Sequence, residues 1–230
     1  MVQLIKDIGG DLVGFLILLF VFILLFIYIF KNKVRFKLKS FFKRGFRANR
    51  GIFGVYAYCG KQGSGKTYSV VEYLLEHNKQ GKKIYANLKS IKNVEYTYIS
   101  SFEELLDLRK EQDCIIFYDE IFTALTKQSK INKEVMDFLS QMRKRKIIFL
   151  TTAQEWAEIP LTFRRYCRYQ IDCSMHNFII GILIKKFYDA ENMHWSTEDN
   201  DFVAPILETT VSKLVLSTAN SYDTFEQIST

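Results

Sequence analysis

Gly60-Lys61-Gln62-Gly63-Ser64-Gly65-Lys66-Thr67 decides how this chain is read, because its glycines, lysine and hydroxyl stand at the GxxxxGK[ST] spacing of a phosphate-binding loop. Glycines let the backbone curl until several N–H groups face phosphate oxygens, and the positive end of a following helix adds to that attraction. Lys66 then reaches toward the β and γ phosphates of ATP, and Thr67 sets its hydroxyl on Mg²⁺. Tyr68 continues the stretch, so 60–68 is the expected nucleotide-binding segment. Such a loop works only between a strand and a helix, and its flanks provide both. Residues 52–59 form an apolar, aromatic run, and 66–77 carry a helical pattern.

Working outward, the next informative stretch is Ile115-Ile116-Phe117-Tyr118-Asp119-Glu120, an apolar strand ending in two acids. An acid at such a strand end holds Mg²⁺ in phosphate-loop enzymes, the role expected of Asp119. Glu120 is then the general base that orients and deprotonates the attacking water. A third apolar strand, 147–152, delivers Thr151, Thr152 and Gln154 toward the same sheet edge, where α/β proteins place ligands. Gln154 is the first choice for sensing the γ phosphate and Thr152 the second. Two arginine pairs, Arg143 with Arg145 and Arg164 with Arg165, are candidates to reach a neighbouring subunit and neutralise charge that develops during phosphoryl transfer. The block Arg164 and Arg165 is taken with Lys66, Glu120 and Gln154 as the catalytic set.

Between these motifs the pattern alternates short β-rich runs (82–88, 96–100) with helical stretches (102–110, 132–144). That is the habit of an α/β domain with a mostly parallel sheet and helices on both faces. After about residue 168 the runs 169–174, 178–189 and 213–216 read as strands. The expected organisation is therefore a phosphate-loop core over 51–170 and a β-rich extension over 171–230.

The formal charge of +7 suggests a polyanion partner until its location is considered. Residues 31–50 hold nine Lys and Arg and no acid, which leaves 23 basic against 25 acidic side chains elsewhere. The body is not a polycation, so any nucleic-acid contact is local. The four cysteines, Cys59, Cys114, Cys167 and Cys173, sit in apolar runs without a CxxC pair, and the histidines are scattered. Neither a disulfide framework nor a zinc site is expected. Residues 12–30 are nineteen positions without a charge, long enough as a helix to span about 28 Å. This predicts a single transmembrane helix, and the basic flank at 31–50 predicts the N-terminus outside and the catalytic domain cytoplasmic, on a host inner membrane or a virion membrane.

Taken in order, GKQGSGKTYS (60–69), IYANL (84–88), IIFYDE (115–120), IIFLTTAQ (147–154), LTFRRYCR (161–168) and, less specifically, SYDTFE (221–226) resemble the Zot-like ATPases of filamentous phages. More broadly, they resemble the FtsK/HerA-type motors. The likeness covers about 52–170. It implies a P-loop NTPase fold of the RecA-like (ASCE) kind, Mg-ATP hydrolysis, and a homo-oligomeric ring. It also implies DNA moved during virion assembly by packaging or extrusion, with viral coat or capsid proteins as further partners. In that family the ATPase usually precedes the membrane span, whereas here the apolar stretch comes first. An ATP-dependent assembly switch without translocation, and a plasmid or conjugative DNA-transfer ATPase, are the alternatives.

Overall fold

The computed structural model describes residues 2–31, 34–36, 53–121, 133–177 and 181–223, with the side chains of the first helix described at 16–29 and 31. The helices are α1 (Val2–Lys31), α2 (Lys66–Asn78), α3 (Phe102–Asp107), α4 (Lys133–Gln141), α5 (Leu161–Arg164) and α6 (Leu216–Ala219). The strands are β1 (Val34–Phe36), β2 (Gly54–Cys59), β3 (Lys83–Ala86), β4 (Thr97–Tyr98), β5 (Cys114–Tyr118), β6 (Ile148–Ala153), β7 (Cys167–Asn177), β8 (Gly181–Asp189), β9 (His194–Ser196), β10 (Asp201–Val203) and β11 (Ile206–Lys213). Nine of the strands form one sheet in the order β1-β11-β8-β7-β2-β6-β5-β3-β4, while β9 and β10 form a small separate ribbon.

The sheet is mostly parallel because its centre is fully covered. All six residues of β2, all five of β5 and all six of β6 are buried, so these strands read as continuous apolar runs rather than alternating ones. Side-chain alternation sends Val55, Ala57 and Cys59 to one face, with Ile116 and Phe149, against Val135, Phe138 and Leu139 of α4 and Phe163 of α5. Tyr56 and Tyr58 go to the other face, with Phe117, Leu150 and Ile171, against Val70, Val71 and Leu74 of α2. Each of these fully buried aliphatic side chains contributes about 1.5–3 kcal/mol relative to exposure.

Strand β7 is the sixth strand of the parallel run β4-β3-β5-β6-β2-β7, pairing with β2 from Val55↔Cys167 onward. It then turns into antiparallel β8, and β11 pairs antiparallel with β8. The β-rich extension is thus continuous with the central sheet. Residues 213–216, expected as a strand, instead lie where β11 ends and α6 begins. The strand itself, ILETTVSK, reads as too polar for a covered strand because Thr209, Thr210 and Ser212 are buried hydroxyls.

The expectation of a membrane anchor is overturned. Among the described residues, no helix is long and apolar enough to cross a membrane. The single-pass arrangement with a cytoplasmic catalytic domain falls with it. Most of the basic strip (37–50), Asn132 and the end of the tail motif (224–226) lie outside the described residues.

Candidate nucleotide site

The loop of residues 60–65 joins the C-terminal end of β2 to the start of α2, so it sits on the sheet edge toward which β3, β5 and β6 also point. Its first glycine is pinned: the Gly60 N–H donates to the carbonyls of Ala153 (3.3 Å) and Gln154 (3.0 Å) at the end of β6. A Cβ on Gly60, at φ +147°, would lie 2.5 Å from Ser64 Oγ and 2.6 Å from the Cys173 carbonyl, so no other residue fits. Gly65, at φ +89°, is the N-cap of α2 and supplies no side-chain cap. The first amides of α2 therefore have neither an intrahelical partner nor a cap, which suits an anion. Lys61, Gln62 and Gly63 are exposed, whereas Ser64 through Thr67 are half-buried. The Lys66 ammonium folds over the loop and donates to the carbonyls of Gly60 (2.6 Å) and Lys61 (3.2 Å).

Two strands away, the acids are held by a small network. The Thr152 hydroxyl, from β6, donates to Asp119 Oδ1 and accepts the Glu120 N–H at 3.0 Å. Asn87, just past β3, grips the Asp119 peptide from the other side. Its Oδ1 accepts the Asp119 N–H at 2.7 Å, and its Nδ2 donates to the Asp119 carbonyl at 3.3 Å. Glu120 adopts φ +50°, a left-handed conformation that costs a non-glycine residue about 1–3 kcal/mol unless its surroundings enforce it. Burial pushes the Asp119 carboxyl up to about 6, opposed by the Thr152 hydrogen bond and by the positive charge of Lys66, and the negative charge of Glu120 adds to the rise. The phosphate loop and the acid turn lie on the same sheet edge, at the C-terminal ends of β2 and β5.

The candidate residues separate into those this edge gathers and those it does not. Lys66, Thr67, Asp119, Glu120 and Thr152 belong to the loop, the start of α2 and the ends of β5 and β6. Gln154 joins them through its backbone carbonyl, and its side chain is exposed. Thr152 rather than Gln154 is thus the β6 side chain hydrogen-bonded to the acid turn, although Gln154 stood first in the sequence. Tyr68 is buried, and its hydroxyl accepts the Val215 N–H at 2.8 Å, so its side chain ties α2 to the C-terminal segment. Thr151 is fully buried, and its hydroxyl has no hydrogen-bond partner among the described residues.

The arginines lie at the opposite edge, before the starts of β6 and β7. Arg164 is buried, pairs with both oxygens of Asp201 at 3.1 Å and stacks over Trp156, which leaves it unable to reach outward. Arg143 pairs with Glu191, and Arg145 donates to Gln141 Oε1 at 2.8 Å. Arg165 is exposed. Sequence reasoning assigned no role to Asn87, although IYANL set an amide at a strand end, where it is the kind of group that satisfies a neighbouring peptide. A cavity of about 520 Å³, lined by Asn78, Lys83, Tyr85 and Tyr96 among others, lies at the far end of β3 and includes no residue of this site.

The donor set fits Mg²⁺. A hard cation with few protein ligands takes one hydroxyl and one carboxylate and completes its shell with phosphate oxygens and water. Thr67 at the start of α2 and Asp119 just past β5 offer one of each, and among the described residues no group of three His, Cys, Asp or Glu side chains could hold a metal ion.

The family model for the "ATPase family associated with various cellular activities (AAA)" matches residues 56–176, more than half of the chain. No curated protein matches. Among solved structures, the N-terminal domain of zonular occludens toxin from Neisseria meningitidis is similar at 18% identity, covering 74% of this chain and 98% of that one, with a TM-score of 0.48. The genome-packaging NTPase B204 of Sulfolobus turreted icosahedral virus 2, in complex with ATP-gammaS, is similar at 13% identity over 67% of this chain and 98% of that one, at 0.47. The flagellar accessory protein FlaH from Methanocaldococcus jannaschii is similar at 12% identity, over 67% and 90%, at 0.45. With its phosphate loop, its acid-ended strand and a family match that spans both, the chain belongs to the AAA family and is a P-loop ATPase.

Proposed function

We propose that this ATPase uses Mg-ATP hydrolysis to drive DNA through a ring of identical subunits during virion assembly. The observation that carries the catalytic part is the single Thr152 hydroxyl bonded to both Asp119 and Glu120, with the Lys66 charge acting on the same carboxylate. Lys66 and the loop amides bind the triphosphate. Thr67 and Asp119 hold Mg²⁺, which when bound neutralises charge on the β and γ phosphates. Glu120 takes the proton of the attacking water, from a turn whose backbone is held at φ +50°. Gln154, exposed just past the end of β6, contacts the γ phosphate. Arg165 is the arginine offered to a neighbouring subunit, since Arg164 is committed to Asp201.

Support for the DNA part is the order of motifs shared with Zot-like and FtsK/HerA-type motors; the close-to-neutral body confines any DNA contact to few groups. The test is ATP turnover by the full chain with and without single- and double-stranded DNA. The expected result is stimulation by one of them and loss of activity in Lys66→Ala. Turnover indifferent to both would leave an ATPase that is not a DNA motor, which is the assembly-switch alternative.

A further inference from the structure

Strand β7 does not stop where its neighbour does. Cys59, the last residue of β2, pairs with Asp172, and β7 continues past it through Met175 and His176, paired with β8. This overhang leans on the phosphate loop. The Cys173 carbonyl approaches Gly60, and Met175 Cε and Leu183 Cδ1 each lie 2.9 Å from where a Gly65 Cβ would stand. It is also fastened to α2: Lys185 donates to Glu72 Oε2 at 2.6 Å with both side chains buried, and Ser69 Oγ lies 3.6 Å from Cys173 Sγ. A hairpin held this way is a preformed wall.

Alternation gives the wall two faces. Cys173, Met175, Leu183 and Lys185 face α2 and the loop. Ser174 and His176, with their cross-strand partners Ile184 and Ile182, occupy the other face. Ser174 and His176 are exposed and linked at 3.1 Å, and the two isoleucines are half-exposed. Position supplies the remaining step. The acids come to the loop from β5, across β6, on one side of β2, whereas β7 and β8 stand on its other side. Strand order thus sets the hairpin on the flank of the loop opposite the acids, where the nucleoside of a triphosphate with its γ end at the acids can lie.

We propose that the overhanging β7–β8 hairpin is the nucleoside half of the site, with Ile182 and Ile184 as the apolar bed of a purine and Ser174 and His176 bonding its polar edge. A flat ring needs this combination of apolar surface and a few placed polar groups. The inference rests on the reading of 60–67 as an ATP-binding loop, and the experiment separates the two. Calorimetry on the full chain compares Mg-ATP with Mg-tripolyphosphate, which has the phosphates and no nucleoside, for wild type and a Ser174→Ala/His176→Ala variant. The expected result is an ATP Kd raised about tenfold, the loss of roughly two modest hydrogen bonds, with tripolyphosphate affinity unchanged. Unchanged ATP affinity, or equal weakening for both ligands, overturns the proposal. A wild type that binds neither ligand removes the loop reading and this proposal with it. Photolabelling unmodified protein with 8-azido-ATP is independent of variant folding. Label in the tryptic peptide 169–185 is expected, and label confined to other peptides is contrary.

Discussion

Replacing Thr152 with valine removes one oxygen from a buried strand while leaving shape and β propensity nearly unchanged. Two hydrogen bonds go with it, the donor to Asp119 Oδ1 and the acceptor of the Glu120 N–H. A bond to a charged group is worth about 1.5–3 kcal/mol, and a buried amide left unpaired costs about 1–3 kcal/mol. Because the site is partly open to water, the expected loss is about 2–3 kcal/mol of stability. At about 2–4 °C per kcal/mol for a domain of this size, Tm should fall by about 4–12 °C. The Glu120 backbone, at φ +50°, would lose one of the contacts that hold it there. A shift of about 1 Å in a catalytic carboxylate costs on the order of a hundredfold in rate. The assay pairs urea unfolding with ATP turnover and uses Thr151→Val as its control, because that neighbouring hydroxyl is buried without a partner among the described residues. Losing it should be neutral or slightly stabilising. Equal effects of the two substitutions would refute the claim that the Thr152 hydroxyl holds the acid turn.

Lys185→Met strands the buried Glu72 carboxylate and should cost about 3–5 kcal/mol, whereas Lys185→Met/Glu72→Leu should recover most of it in the same unfolding assay. Asn87→Leu removes both bonds to the Asp119 peptide and should lower turnover at saturating ATP while leaving ATP affinity within a few-fold, as read by steady-state kinetics and calorimetry. His77 is buried, and burial lowers its pKa below the ordinary 6.5, so the unfolded chain takes up a proton that the folded ring refuses. Stability should therefore fall as pH drops below about 6.5 and keep falling until the folded ring titrates. His77→Phe keeps the stack on Tyr73 and should show a smaller loss in urea midpoint between pH 7.5 and 5.5.

The loop and the acid strand were legible because their chemistry demands fixed residue types at fixed spacing, and because strands covered on both faces leave continuous apolar runs. Six residues of β2 and five of β5 are such runs, so their ends, Gly60 and Asp119, could be placed from the sequence alone. What depends on three-dimensional contact was not legible. Arg164 and Arg165 are adjacent in the chain, yet one is buried against Asp201, 37 positions away, and the other is exposed. Tyr68 follows the loop directly, but its environment is set by Val215. That the Thr152 hydroxyl bonds the acid turn could be seen only by knowing that β6 lies between β2 and β5, a consequence of strand order that periodicity does not encode. Strand β11 escaped notice because buried hydroxyls replaced the apolar residues that mark a covered strand.

The central claim is that the glycine loop and the two acids form one hydrolytic site, and Glu120→Gln tests it most directly. Magnesium-dependent ATP binding by calorimetry and ATP turnover are measured on the same protein, beside wild type. The expected outcome is ATP affinity within a few-fold of wild type and turnover reduced by at least a hundredfold, as loss of a general base requires. Turnover that survives the substitution, or wild-type protein that releases no magnesium-dependent heat with ATP, would contradict it.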